Sequence, residues 1–362
     1  MSGMTLAQAA ARAARPGRRQ RLAQLCERSG ALSVLERLRR APGGELRILA
    51  YHRVLEALPS EDFSFDVELV SATAASFRQQ VAWLARNMQP MRLDEVLALV
   101  DAGRPLPPRA VVITFDDGYD DNYRVAYPIL REHQVPAVFF VSTAHVGSGL
   151  PFVYDWLVHM LCSTREEALD VPELDSRWVL PDGIDARRTL AAEVLDTLKR
   201  LEARQQLALV SRLEAQWGMP RVPHPDCRPM DWAQLREMSA GGMEVGSHGM
   251  HHLMLAKLPQ RMLEAELHGS RCALQRNLGV PAQALSYPVG GADSYDERVL
   301  AAARRAGYRM ACTYLSGSGR VAEGRMFELC RLPVERGVDL GWFRAMLSFP
   351  RVFGYRSPVR VG

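Results

Sequence analysis

The 362-residue chain lacks a CxxC pair and any Cys/His run with ligand spacing, because its six cysteines, Cys26, Cys162, Cys227, Cys272, Cys312 and Cys330, are scattered. That argues against a zinc knuckle or a disulfide scaffold and fits free thiols in a reducing compartment. No apolar run approaches the roughly 20 residues of a membrane-spanning helix. Arg12, Arg15, Arg18, Arg19 and Arg21 interrupt every stretch that could serve as the apolar part of a signal peptide. The expectation is a cytoplasmic protein, or one peripheral to the inner face of the membrane. A formal charge of only +4, with Lys and Arg spread widely, gives no nucleic-acid surface. There is no internal repeat and no low-complexity tract. With 48% apolar residues the chain can bury a sizeable core.

Residues 1–44 are rich in Ala, Leu and Arg, with Leu22, Leu25, Leu32, Leu35 and Leu38 at near-helical spacing. They read as a basic helical N-terminal extension that packs on the body or lies peripherally on an anionic membrane. From residue 45 short apolar runs alternate with helical patterns. Strands are expected at Leu46–Tyr51, Ala110–Phe115, Ala137–Ser142, Met243–Gly246 and Ala284–Tyr287, and helices at Ala75–Asn87, Leu93–Ala102, Tyr123–His133, Pro259–Leu278 and Ser294–Ala306. This alternation implies a parallel sheet and an α/β barrel spanning 45–362. The rhythm breaks at about 151–230, where Leu190, Val194, Leu198 and Leu201 share one helical face, so a mostly helical insertion is expected there. Its Tyr154, Trp156 and Trp178 suit sugar stacking, although such aromatics more often belong to a core. The segment after 337, with Trp342, Phe343, Phe349 and Phe353, suits a tail packed over the body.

Two places carry chemistry. The run Ala110–Ile113 leads into Thr114-Phe115-Asp116-Asp117-Gly118, setting two carboxylates at the end of a buried strand. Alternation along the strand makes them diverge, so one can ligate a metal while the other remains a base. Taken alone, Asp-Asp-Gly is an ordinary turn. The second place is Gly246-Ser247-His248-Gly249-Met250-His251-His252, which gathers three of the nine histidines. An HxxxH spacing puts His248 and His252 on one side of a helical turn, where both reach one ion at about 2.0–2.1 Å. His251 faces elsewhere and reads as a surface or bracing residue. Two imidazoles and one carboxylate form a common catalytic zinc set with open positions.

These segments, followed by Ser286-Tyr287-Pro288-Val289-Gly290, resemble the polysaccharide deacetylase family, also called NodB-homology or carbohydrate esterase 4. Ile48–Val54, Ala126–Leu130 and Ala306-Gly307-Tyr308 resemble members associated with exopolysaccharide production. The resemblance covers roughly 46–335 and implies a distorted barrel of about seven parallel strands. It implies that Asp116 is the general base and that Asp117, His248 and His252 hold one divalent ion, zinc first. It places Tyr287, Pro288, Val289 and Gly290 at the substrate, with the Val289 N–H as oxyanion donor. Three departures stand out. Ser286 occupies the position of an Arg that orients the base in the family, and neither the fourth motif's Asp and Trp nor the fifth motif's Leu-x-His is found near Arg331–Glu335. His52, on the same barrel rim as Asp116, is the candidate replacement for the missing general acid.

The implied function is hydrolysis of N-acetyl, or secondarily O-acetyl, groups on a hexosamine-containing glycan or its lipid-linked precursor. Two other classes remain: a catalytically idle glycan-binding or assembly protein of the same fold, and a metal amidase acting on a small non-sugar amide.

Overall fold

The apolar runs near residues 50 and 112 form neighbouring parallel strands, β1 (Glu45–Tyr51) and β2 (Ala110–Phe115). All of β2 and all but the first residue of β1 are buried, as befits strands covered on both faces. In the computed structural model, which describes residues 17–38, 45–279, 282–320 and 325–355, five further strands complete a ring. They are β3 (Val138–Val141), β4 (Glu244–Ser247), β5 (Ala284–Ser286), β6 (Met310–Ser316) and β7 (Leu329–Pro333). Each pairs in parallel with its neighbour in chain order, and β7 pairs with β1, closing a seven-stranded barrel. The distorted (β/α)7 architecture expected from the sequence is therefore what the chain adopts.

Helices α1 (Arg18–Arg28) and α2 (Ala31–Leu38) precede the barrel. Around it lie α3 (Ala74–Asn87), α4 (Leu93–Asp101), α5 (Tyr127–Glu132), α6 (Trp232–Ala240), α7 (Gln260–Leu278), α8 (Glu297–Ala306) and α9 (Leu340–Ser348). Their ends follow local chemistry. Thr73 and Ser76 form a reciprocal capping box at the start of α3, and α8 begins with Asp296 accepting from the Val299 N–H at 2.9 Å. The face Phe77, Val81 and Leu84 of α3 is buried, with Phe77 meeting Tyr51 and Phe115 edge-on at 5.3 and 5.7 Å. Helix α9 accounts for the aromatic tail, since Phe343 is fully buried and meets Trp83 of α3 at 6.2 Å.

Two compact units emerge, of which the larger holds the barrel and Arg18–Ala57, Leu69–Ser148 and Pro229 onward. The smaller is built chiefly from Leu58–Glu68 and Gly149–Arg228. It contains helices Val153–Ser163, Ile184–Leu198 and Ala203–Gln216, and also an antiparallel hairpin, Ala168–Val171 with Ser176–Val179, that the sequence pattern did not suggest. Val194 and Leu198 are buried, and so is Trp156, whose indole donates to the Met219 carbonyl at 3.0 Å. Much of the expected N-terminal extension, residues 1–16 and 39–44, lies outside the described residues. Among those described, no helix is long and apolar enough to cross a membrane.

Candidate active site

Side chains alternate along β2. Phe115 points outward and stacks on Phe139 at 4.7 Å, so Thr114 and Asp116 point into the barrel. There Asp116 meets Arg331 of β7, with Nη1 donating to Oδ1 at 2.8 Å and Nη2 to Oδ2 at 2.6 Å. The same guanidinium donates to Thr114 Oγ1 at 3.1 Å, to Ser286 Oγ at 3.1 Å and, through Nε, to the Thr313 carbonyl at 2.7 Å. All five of its N–H groups are thereby used, which a fully buried arginine requires. Burial alone would raise the Asp116 carboxyl, but the Arg331 charge reverses this and holds it below the ordinary carboxylate value. Asp116 is an ionised, fixed carboxylate at neutral pH.

The next residue turns away. Asp117 has φ 74° and Gly118 φ 90°, and a Cβ at Gly118 would lie 2.9 Å from Val141 Cγ1, so only glycine fits this close turn. Asp117 Oδ1 then lies 3.3 Å from His248 Nε2 and 3.0 Å from His252 Nε2. The imidazole of His248 is oriented from behind, its Nδ1 donating to the Ser286 carbonyl at 2.7 Å. A carbonyl can only accept, so Nδ1 carries a hydrogen and Nε2 is the nitrogen turned toward Asp117. Asp117 Oδ1 is itself buried without a hydrogen-bond donor. Lone pairs crowded in this way repel unless a positive charge sits among them. One ligand atom from each residue falls within 4.8 Å of the other two, which fits a divalent ion held by two nitrogens and one oxygen.

The HxxxH segment is not the helical turn expected from its spacing. It is an irregular loop in which His252 has φ 57° and the two imidazole rings lie 5.0 Å apart. Glu266 of α7 organises it, its Oε2 accepting from the Met250 and His251 N–H groups at 2.8 and 3.0 Å while Oε1 pairs with His251 Nδ1. His251 is thus a brace rather than a ligand.

His52 follows β1 and, since Tyr51 pairs with Phe115, stands in register beside Asp116. Its carbonyl accepts from Asn122 Nδ2 at 2.8 Å, its N–H donates to Ser71 Oγ at 2.9 Å, and its ring lies 5.4 Å from that of Tyr314. Burial pushes its imidazole below the ordinary value against the opposing pull of Asp117 and Asp116. The adjacent Arg53 forms a buried pair with Asp121 at 2.9 Å, which ties this rim to the loop after Asp117.

The segment after β5 divides. Tyr287 is fully buried, stacked on Tyr295 at 4.8 Å with its hydroxyl donating to the Phe327 carbonyl at 3.0 Å, so its ring serves the core. Pro288 and Gly290 are buried, whereas Val289 is partly exposed and holds φ 65°. A β-branched residue adopts that conformation only when its surroundings impose it. Asp117, His252 and Val289 are three of the six non-glycine residues with positive φ among those described.

A family model described as polysaccharide deacetylase matches residues 103–168 and 181–311, more than half of the chain. The chain belongs to the polysaccharide deacetylase family. Poly-beta-1,6-N-acetyl-D-glucosamine N-deacetylase of Escherichia coli strain K12 is 42% identical over 89 residues, 24% of this chain and 13% of that protein. The Staphylococcus epidermidis protein of the same name is 35% identical over 107 residues, 28% of this chain and 37% of its own length. The chain therefore matches well under half the length of these relatives. Among solved structures, the Streptococcus pyogenes deacetylase PplD in complex with acetate shares the fold, with a TM-score of 0.54 and 18% identity over 82% of this chain and 96% of that one.

Within this family member, Arg331 was missed from the sequence. Its signal was a lone arginine in the apolar run Leu329-Cys330-Arg331-Leu332-Pro333, and such a charge needs a buried partner. The arginine that the family pattern places before the Tyr-Pro segment is thus supplied in space by another strand, and Ser286, which stands at that position, becomes its hydrogen-bond partner.

Proposed function

We propose that this protein is a metal-dependent deacetylase that hydrolyses N-acetyl groups on a hexosamine polymer, with a poly-N-acetylglucosamine like that named for its relatives as the first candidate substrate. The observation that carries the reading is the pairing of Asp117, His248 and His252 around one point with an adjacent carboxylate clamped by Arg331. A glycan-binding scaffold has no use for that second carboxylate. The N, N, O donor set suits zinc, and a divalent ion held there supplies Lewis acidity that lowers the pKa of water and favours negative charge on the acyl oxygen.

The protein's own groups do the rest. Asp116 accepts the proton of the attacking water. Both its oxygens bond Arg331, but each keeps a second lone pair, so acceptor capacity remains. The Val289 N–H, on a backbone held at φ 65°, donates to the developing oxyanion. His52, on the neighbouring strand end, takes that proton on from Asp116 and hands it to the departing amine.

Acetate release from N-acetylglucosamine oligomers, assayed alongside bound metal, tests this reading. Asp116→Asn is expected to keep the metal and lose about 10²- to 10⁴-fold in turnover. The His248→Ala, His252→Ala double variant is expected to lose both. Full activity in Asp116→Asn would overturn the mechanism, and unchanged metal content in the double variant would overturn the ligand set.

A further inference from the structure

Helices α1 and α2 reverse the usual arrangement of an amphipathic pair. Ala23 and Leu32 are buried, and beside them polar side chains reach the body. Gln20 donates to the Gly337 carbonyl at 2.8 Å, Gln24 to Asp339 at 2.7 Å, and Arg19 to the Gly354 carbonyl. Glu27 and Glu36, the two acids of residues 17–38, both turn to Arg344 of α9, at 2.6 and 2.7 Å. The opposite side is different. Arg18, Arg21, Leu22, Leu25 and Arg28 are exposed at spacings that place them on one face of α1. Leu22 is 47% exposed and Leu25 63%, and on α2 Val34 is 54% and Leu35 45% exposed.

Single exposed leucines are unremarkable, but here four large apolar side chains on consecutive helices are interleaved with three arginines. The carboxylates that would balance those arginines are consumed inward. We propose that this face docks the protein on an anionic lipid surface, with Leu22, Leu25, Val34 and Leu35 entering the acyl boundary and Arg18, Arg21 and Arg28 reaching the headgroups. Charge decides between occupants. A second copy would set arginines against arginines with no acid on the face to receive them, and a nucleic acid would leave the apolar side chains without a partner. The sequence upstream of α1 agrees in sign, since residues 1–17 contain two arginines, Arg12 and Arg15, and no Asp or Glu.

The test uses the full chain in flotation assays with vesicles of phosphatidylcholine alone or of equimolar phosphatidylcholine and phosphatidylglycerol. Binding is expected to the anionic vesicles alone and to weaken as salt rises. Arg18→Gln, Arg21→Gln and Arg28→Gln should each lower the affinity about fivefold. Leu22→Glu with Leu25→Glu should abolish floating while thermal melting stays that of the parent. Should that double variant melt early, the arginine series, which alters only exposed residues, decides the matter alone. Equal flotation with both vesicle types, or parent affinity in both variant sets, overturns the proposal. So does a dimer in sedimentation equilibrium that the leucine variants dissolve, or DNA binding stronger than vesicle binding.

Discussion

At the residue scale the deciding contact is the fork between Arg331 and Asp116. A bidentate guanidinium fixes the carboxylate in direction as well as in charge, which a lysine cannot do. Arg331→Lys keeps a cation in place and is expected to fold, yet should lower kcat about 10²-fold through misplacement of the base, with KM little changed. The sign of the pH effect follows from the cause of the shift. Arg331 holds Asp116 below its ordinary value, so weakening the pair raises it. In the proposed mechanism the ionised form is the active one, and the acid limb of the pH–rate profile should therefore move to higher pH. A profile and kcat equal to the parent's would assign Arg331 to stability alone. Asp116, Asp117, His248 and His252 were legible in the sequence because each announces itself in a short window at a strand end. Arg331 was not, since its role depends on a partner 215 residues away.

At the element scale the helices were read well because their periodicity and caps are local: α3, α7 and α8 begin within a few residues of their expected starts. Strands β6 and β7 were missed. Their runs are short or carry inward polar residues, Thr313 and Arg331, that break an apolar pattern for the sake of the site. The histidine loop was misread as helical for a related reason, because its shape is set by Glu266 of α7 and not by its own spacing. Glu266→Gln retains one acceptor and should weaken metal binding about 10- to 100-fold without unfolding the protein. Competition with a chelator reads this directly, and an unchanged affinity would remove Glu266 from the positioning role.

At the scale of the whole molecule the proposed ligands lie in the loops after β2 and β4, and the groups that brace them on β5 and α7, so an ion bound there would tie several elements together. Folding and metal binding should then be linked. Free metal at 100 times its Kd is expected to stabilise the native state by about 2.7 kcal/mol, measured by denaturant titration, and the His248→Ala, His252→Ala variant should gain nothing.

Strand β7 also has a consequence for the order of events in the life of the chain. It is the last stave of the barrel, seated between β6 and β1, and it brings the counter-ion of Asp116, the proposed base. A ribosome-bound fragment, or a partly unfolded molecule whose final stave has slipped out, already contains both carboxylates and every histidine ligand. In that state Asp116 has neither its fixed direction nor its compensating charge. On the proposed assignment the chain carries the ligand set before it carries a positioned base, and closing the ring is the step expected to arm it.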